Sequence, residues 1–273
     1  MTNAQFRIEK QSAAYWRVIF DQPPVNMVGP ETVLEFQALV GLIETDAALQ
    51  VVVFESANPD YFFGRYDVAR AGQTPNALQP SGLPTWTDMV VRLSQAPVVS
   101  IAKIRGRTRG GGSELALAMD MRFASLERAL FGQPEVGAGV LPGGGAIDRL
   151  PLLTGRARAL EIMLGSQDFD AATAERYGWV NRALPDAELD VFVDELAQRI
   201  AGFDKASVAE TKRLINRRTL PEPADLAEVE RSFLQVVSGW PSTRQRQQRI
   251  GKKVGEVGAL EFEKNMGRYL GEL

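Results

Sequence analysis

Two glutamates, Glu114 and Glu135, stand 21 positions apart, each beside glycines and each at the opening of a structural element. The chain has no histidine and no cysteine. Proton transfer near neutral pH therefore falls to carboxylates, Tyr, Lys or water. Ser-His-Asp chemistry, thiolate nucleophiles and metals held by His or Cys are excluded by the same count, and no metal site is expected. Gly110, Gly111 and Gly112 let the backbone take φ > 0 and leave amides pointing outward. Leu115, Ala118 and Met119 follow at helical spacing, which puts Glu114 in a first turn, where the macrodipole favours the ionised carboxylate. Pro134 suits the first position of a helix or turn and places Glu135 near its opening. A charged acid beside free N–H groups is a general base next to an oxyanion hole, and two carboxylates in different surroundings can divide acid and base duties. First-turn acids also stabilise helices without doing any chemistry, so local pattern alone leaves both readings standing. The glycines do not form a phosphate cradle, because no Gly-Lys-Ser/Thr follows them.

The elements that must position these acids can be read from periodicity. Residues 5–20 alternate as two short strands, 31–44 carry Val33, Phe36, Leu39, Val40 and Ile43 at helical spacing, and 51–54 read as a buried strand. Segment 73–83 reads as loop, 86–95 as helix, 97–104 as strand, and 121–125 and 129–132 as strands. Helical patterns cover 143–163 and 170–177, ending at Gly178. From about 186 onward the chain is helical, with breaks expected at Asp204, Pro221/Pro223, Pro241 and Gly251/Gly255. Strands early and helices late predict an α/β core with a helical cap, divided as residues 1–200 and 201–273. Between 58 and 71, Arg65 and Tyr66 precede Asp67, their side chains either turned to solvent or lining a pocket. Lys103, Arg105, Arg107 and Arg109 crowd the approach to the glycines; surface salt bridges account for them, with an anionic substrate group as the alternative.

Lys plus Arg number 31 against 34 Asp plus Glu, a net charge of −3, which gives no electrostatic footprint for nucleic acid. At 45% apolar, 273 residues can bury a substantial core. No apolar run nears the ~20 residues of a membrane helix, and MTNAQFRIEKQ lacks a signal-peptide core, so a soluble cytoplasmic protein without a membrane partner is expected.

The string IRGRTRGGGSELALAMDMRFAS, then FGQPEVGAGVLPGGG, then LLTGRARALEIMLGSQDFDAATAERYGWVNRALP resembles the crotonase (enoyl-CoA hydratase/isomerase) superfamily in order and spacing from about residue 15 to about 215. The resemblance implies an α/β fold of ββα units coiled into a spiral, with a C-terminal helical oligomerisation region, as a homotrimer or dimer of trimers. It implies that Glu114 and Glu135 flank the double bond of an acyl-CoA, and that the backbone N–H groups of Tyr66 and Gly111 form the oxyanion hole. Arg65, Gly110, Gly112 and Gly143 would lie against the substrate. No cofactor is implied beyond the coenzyme A of the substrate. Hydration of a 2-enoyl-CoA is the leading expectation, with isomerisation or C–C or thioester hydrolysis as alternatives. A non-catalytic acyl-CoA-binding or scaffold protein is the reading from another class. The family carries a small Gly-Ala pair where this chain has Arg65–Tyr66, which implies an altered cavity.

Overall fold

The computed structural model describes residues 4–75 and 77–273. β1 (Phe6–Lys10) and β2 (Tyr15–Phe20) form an antiparallel hairpin, and α1 (Pro30–Thr45) leads to β3 (Val51–Ser56). A short 3-10 helix (Val68–Gln73) and α2 (Thr85–Gln95) come before β4 (Val99–Ile104) and β5 (Arg107–Arg109). Then follow α3 (Gly111–Leu117), β6 (Met121–Ser125), β7 (Leu130–Gly132), α4 (Ala146–Thr154) and α5 (Arg156–Gly165). β8 (Asp168–Asp170), α6 (Ala171–Tyr177) and β9 (Arg182–Leu184) close the α/β part. The last part of the chain is helical: α7 (Asp186–Ala201), α8 (Lys205–Thr219), α9 (Pro223–Gly239), α10 (Pro241–Val257), α11 (Ala259–Lys264) and α12 (Met266–Glu272).

The strands sort into two sheets, β1-β2-β3-β4-β6-β9 and β5-β7-β8. From β2 onward the larger sheet is parallel throughout. Isolated bridges Val28↔Tyr66 and Tyr61↔Arg107 carry the smaller sheet's pattern back into the preceding turns, so successive ββα turns stack as a spiral. A parallel sheet needs cover on both faces, which explains the unbroken apolar run in β3. Val52 and Phe54 face the main core beneath α1 and α2, while Val51 and Val53 pack with Leu189, Val193 and Ala197 of α7.

Two boundaries differ from the sequence reading. Residues 143–163 are two helices parted at Gly155, where φ is +79°. α10 runs through Gly251 and Gly255 and ends at Gly258. Glycine inside a helix costs about 1 kcal/mol without ending it, whereas the positive φ of Gly258 redirects the chain. Of the two forms expected at Pro134, helix or turn, the chain takes the turn, closed by Ala138 N–H donating to Pro134 O at 2.9 Å.

The basic cluster forms the expected salt bridges, but Lys103 and Arg109 make theirs buried rather than at the surface. Lys103, 3% exposed, pairs with Glu55 and with Asp190 at 2.7 Å, and Arg105 pairs with Asp186 at 2.7 Å and Asp190 at 2.9 Å. These ions join β3 and β4 to α7. Arg109 is buried on Asp168, and Arg107 donates to Lys264 O.

The loop leading to Tyr66 is fastened from below by Asn26, fully buried at φ +50°. Its Nδ2 donates to Ser56 Oγ at 2.7 Å, Phe62 O at 2.9 Å and Tyr61 O at 3.2 Å. Asn26→Ala strands buried carbonyls and is expected to lower stability by about 2–4 kcal/mol, read as a lower urea midpoint at unchanged slope.

Candidate active site

α3 begins where the triple glycine meets the loop 61–66. Gly112 lies so close to the carbonyls of Phe63 and Gly64 that a Cβ would collide with backbone. This contact brings two amides side by side: a Cβ on Gly111 would sit 3.2 Å from Tyr66 N and 2.8 Å from Tyr66 Cβ. Val28 bonds the amide and carbonyl on either side of Tyr66, with its N–H on Arg65 O at 3.0 Å and its carbonyl taking Asp67 N–H at 2.9 Å. Among the described residues, neither Tyr66 N–H nor Gly111 N–H has an acceptor. Both residues line a cavity of about 160 Å³.

Glu114 and Glu135 line the same cavity. Glu114, 4% exposed, takes hydrogen bonds on Oε1 from Gly144 N–H at 2.7 Å and Ala146 N–H at 3.2 Å. Gly144 is held in turn by Trp86 Nε1–H, which donates to its carbonyl at 3.0 Å. Glu135 comes from the turn after β7, and its buried Oε2 has no hydrogen-bond partner among the described residues. Gly110 opens α3 at φ +49°, and a Cβ there would run into Glu135 Oε1. The glycine thus supplies both the backbone turn and the room for the carboxylate.

Burial acts on both acids, but unequally. It pushes Glu114 up to about 7 against the pull of its two amides, with smaller upward pushes from Asp148 and Glu230. Glu135 lies well above the usual carboxylate range, first from burial and then from the charge of Glu114, with only a backbone hydrogen bond acting against them. Of the pair, Glu114, the acid with amide partners, gives up its proton more readily, and Glu135 holds its proton more tightly.

The remaining expected residues divide. Tyr66 and Arg65 both line the cavity and are not turned to solvent. The Tyr66 ring stands edge-on to Trp86 and to Phe233, with centroids 6.1 and 6.4 Å away, and its hydroxyl bonds Thr74 Oγ1. Arg65 Nε donates to Glu263 of α11 at 2.9 Å. Gly143 lines the cavity, held against Phe233. Gly110 and Gly112 are not among the lining residues; their work is to shape α3 and the loop beneath it.

Much of the cavity wall was not foreseen. Trp86 comes from α2, Glu230 and Phe233 from α9, Val254 from α10, and Phe262 and Met266 from the last two helices. The segment expected for association thus also closes its own chain's cavity. Arg246 Nε and Gln247 Nε2 tie α10 to Gly137 O and Ala138 O at 2.6 and 2.7 Å, and Arg109 holds the carbonyls of Glu263 and Lys264. The four-residue spacing of Phe262, Met266 and Leu270 marks an apolar helical face in the sequence, but not the surface it covers.

Residues 10–247 match the enoyl-CoA hydratase/isomerase family model. The chain belongs to that family. It is 31% identical over 213 residues to a short-chain-enoyl-CoA hydratase of Clostridium acetobutylicum, covering 77% of this chain and 80% of that protein. It is 32% identical over 195 residues to a crotonyl-CoA hydratase of Syntrophomonas wolfei, covering 70% and 74%. A crystal structure from Streptomyces avermitilis, provisionally assigned as an enoyl-CoA hydratase, superposes with a TM-score of 0.91 at 42% identity over 98% of this chain and 97% of that one. The crotonase fold expected from the sequence is the fold observed, and the protein is an enzyme of this family. The end of α10, α11 and α12 lie beyond the family match, yet they form part of the cavity wall. No helix among the described residues is long and apolar enough to cross a membrane.

A raised carboxylate pKa has a signed effect on stability. Between pH 4.5 and about 7 the folded state keeps the Glu114 proton that the unfolded chain has lost, so stability present below this window falls as pH rises through it. Glu114→Gln removes the ionisation and keeps an acceptor for Gly144 and Ala146. Denaturant titrations should find the variant more stable than the parent at about pH 8, on the order of 3 kcal/mol at ~1.4 kcal/mol per pH unit, and nearly equal to it at about pH 4.

Proposed function

We propose that this enzyme adds water across the 2,3 double bond of an enoyl-CoA thioester, with Glu114 and Glu135 dividing the proton transfers. The observation that carries the reading is the pair of buried carboxylates on one cavity, held at different proton affinities beside two amides with no acceptor. The thioester oxygen accepts from Tyr66 N–H and Gly111 N–H. Fixed amides aimed at a developing oxyanion contribute about 3–4 kcal/mol each in comparable sites.

Glu114 is the base. Its Oε1 is pinned by two amides, and its Oε2 has no hydrogen bond among the described residues. Oε2 takes a proton from water as the water oxygen bonds to C3. The π pair moves onto C2 and the thioester oxygen, giving an enolate held by the two N–H groups. Glu135, the acid that holds its proton more tightly, gives that proton to C2, and the enolate collapses to the 3-hydroxyacyl thioester. One water is consumed, and the proton gained by Glu114 balances the one lost by Glu135. The reaction needs no metal and no cofactor beyond the coenzyme A of the substrate. Isomerisation moves a proton between carbons and requires no activated water, so the second, amide-held carboxylate favours hydration. The names of the two curated relatives agree with this reaction class.

Single Glu114→Gln and Glu135→Gln changes should each lower kcat on crotonyl-CoA or a longer enoyl-CoA by about 10²–10⁴-fold, with little change in affinity. The double variant should lose far less than the product of the two, because the acids act on one addition. Near-parental rates in both single variants would rule out the two-carboxylate mechanism.

Association into a trimer or dimer of trimers belongs to the same proposal. Leu152, Leu153, Phe203 and Ile215 are 42–63% exposed and line a second, apolar groove between α4 and α8. Exposed apolar surface of this kind is what symmetric assembly buries. Sedimentation at micromolar concentration should give a mass at least three times the 30.0 kDa of one chain, and a 30.0 kDa species would contradict it.

A further inference from the structure

A third carboxylate lies in the cavity, and neither proton transfer uses it. Glu230 of α9 is 8% exposed, lines the cavity with Tyr66, Trp86 and Phe233, and is pushed upward in pKa by burial. It is close enough for its charge to act on both Glu114 and Tyr66. Its Oε2 is occupied, accepting from Thr87 N–H at 3.1 Å and from Thr87 Oγ1 in the first turn of α2. Its Oε1 has no partner among the described residues and, unlike Glu135 Oε2, is not sealed from solvent.

Anchoring α2 accounts for one oxygen only. A Ser or Asn would serve a first-turn amide without placing a carboxylate in an aromatic-walled cavity, where a bound apolar group would cut the second oxygen off from water without replacing its hydrogen bond. A ligand group that meets Oε1 replaces that bond. A carboxylate oxygen accepts and a carboxylic acid can also donate, so the group that fits either state is one that both donates and accepts. A hydroxyl does so. An ammonium fits only the ionised form and would itself be desolvated.

We propose that Glu230 is a specificity residue, and that the cavity takes acyl groups with an apolar body and a hydroxyl beyond C3, bonded to Glu230 Oε1. This rests on the acyl-CoA reading above and narrows its substrate class. Specificity of this kind is strong because the analogue lacking the hydroxyl leaves the carboxylate unpaired again.

The test is calorimetric titration of the wild-type protein with saturated butanoyl-, hexanoyl- and octanoyl-CoA, each against its terminally hydroxylated counterpart. At one length or more the hydroxylated ligand should bind about tenfold tighter or better. The preference should fall several-fold in Glu230→Gln, which keeps an acceptor for Thr87, and vanish or reverse in Glu230→Met. If the Met variant does not fold, the wild-type and Gln ratios carry the result. Wild-type pairs that bind alike at every length, or variants that weaken both members of each pair equally, overturn the proposal and leave Glu230 as a structural anchor. Hydration of hexenoyl-CoA by the same wild-type preparation separates the two levels. Turnover without hydroxyl preference removes this inference alone, whereas no binding of any CoA thioester removes it together with the reading it rests on.

Discussion

The site depends on one close approach of backbone to backbone, where Gly112 at the start of α3 rests on the carbonyls of Phe63 and Gly64. Any side chain at Gly112 would push the helix off the loop and separate the Gly111 and Tyr66 amides. The same contact fixes where the first turn of α3 points, and so where Glu114 enters the cavity. Asn26 supports it from beneath by holding Tyr61 O and Phe62 O, so the position of the Tyr66 amide traces back to a buried side chain in the loop after β2.

Around that contact the chain builds a place where carboxylates are reluctant to ionise. Trp86, Phe233, Phe262 and Met266 exclude water, and the resulting desolvation is the largest influence on Glu114, Glu135 and Glu230 alike. What sets Glu135 apart from the other two is the lack of donors on Oε2 among the described residues and the added charge of Glu114. Glu114 has two amides, Glu230 has the amide and hydroxyl of Thr87, and Glu135 Oε2 has none. Three chemically identical groups are thus all made harder to ionise, Glu135 the more so for its missing donors, and the stability given up by burying them is the counterpart of their reactivity.

The C-terminal helices complete this arrangement from within the chain. Arg65 reaches Glu263, Arg109 holds the carbonyls that follow it, and Arg246 ties α10 to the turn carrying Glu135. Arginine suits these joints because its planar fork meets several oxygens at once. The bulky Arg65–Tyr66 pair therefore has a structural account. Tyr66 supplies aromatic wall and Arg65 supplies the link to α11.

How much of this was legible in advance follows the range of the forces. Local backbone signals gave Gly110–Gly112, the first-turn placement of Glu114 and the turn carrying Glu135, because steric freedom, helix periodicity and proline geometry act within a few residues. The absence of His and Cys excluded whole classes of chemistry by composition alone, and motif order implied the family. Periodicity misplaced the helix ends at Gly251/Gly255 and Gly155, since a glycine lowers helix propensity without dictating where the chain turns. The pairing of Lys103 with Glu55 and Asp190, the fold-back of α11 and α12, and the presence of Glu230 in the cavity join residues 48 to 198 positions apart. No local pattern encodes such meetings. The sequence determined which groups could carry protons; only the tertiary structure decided how far from water each one sits, because desolvation is set by everything that packs around a carboxylate and not by its neighbours along the chain.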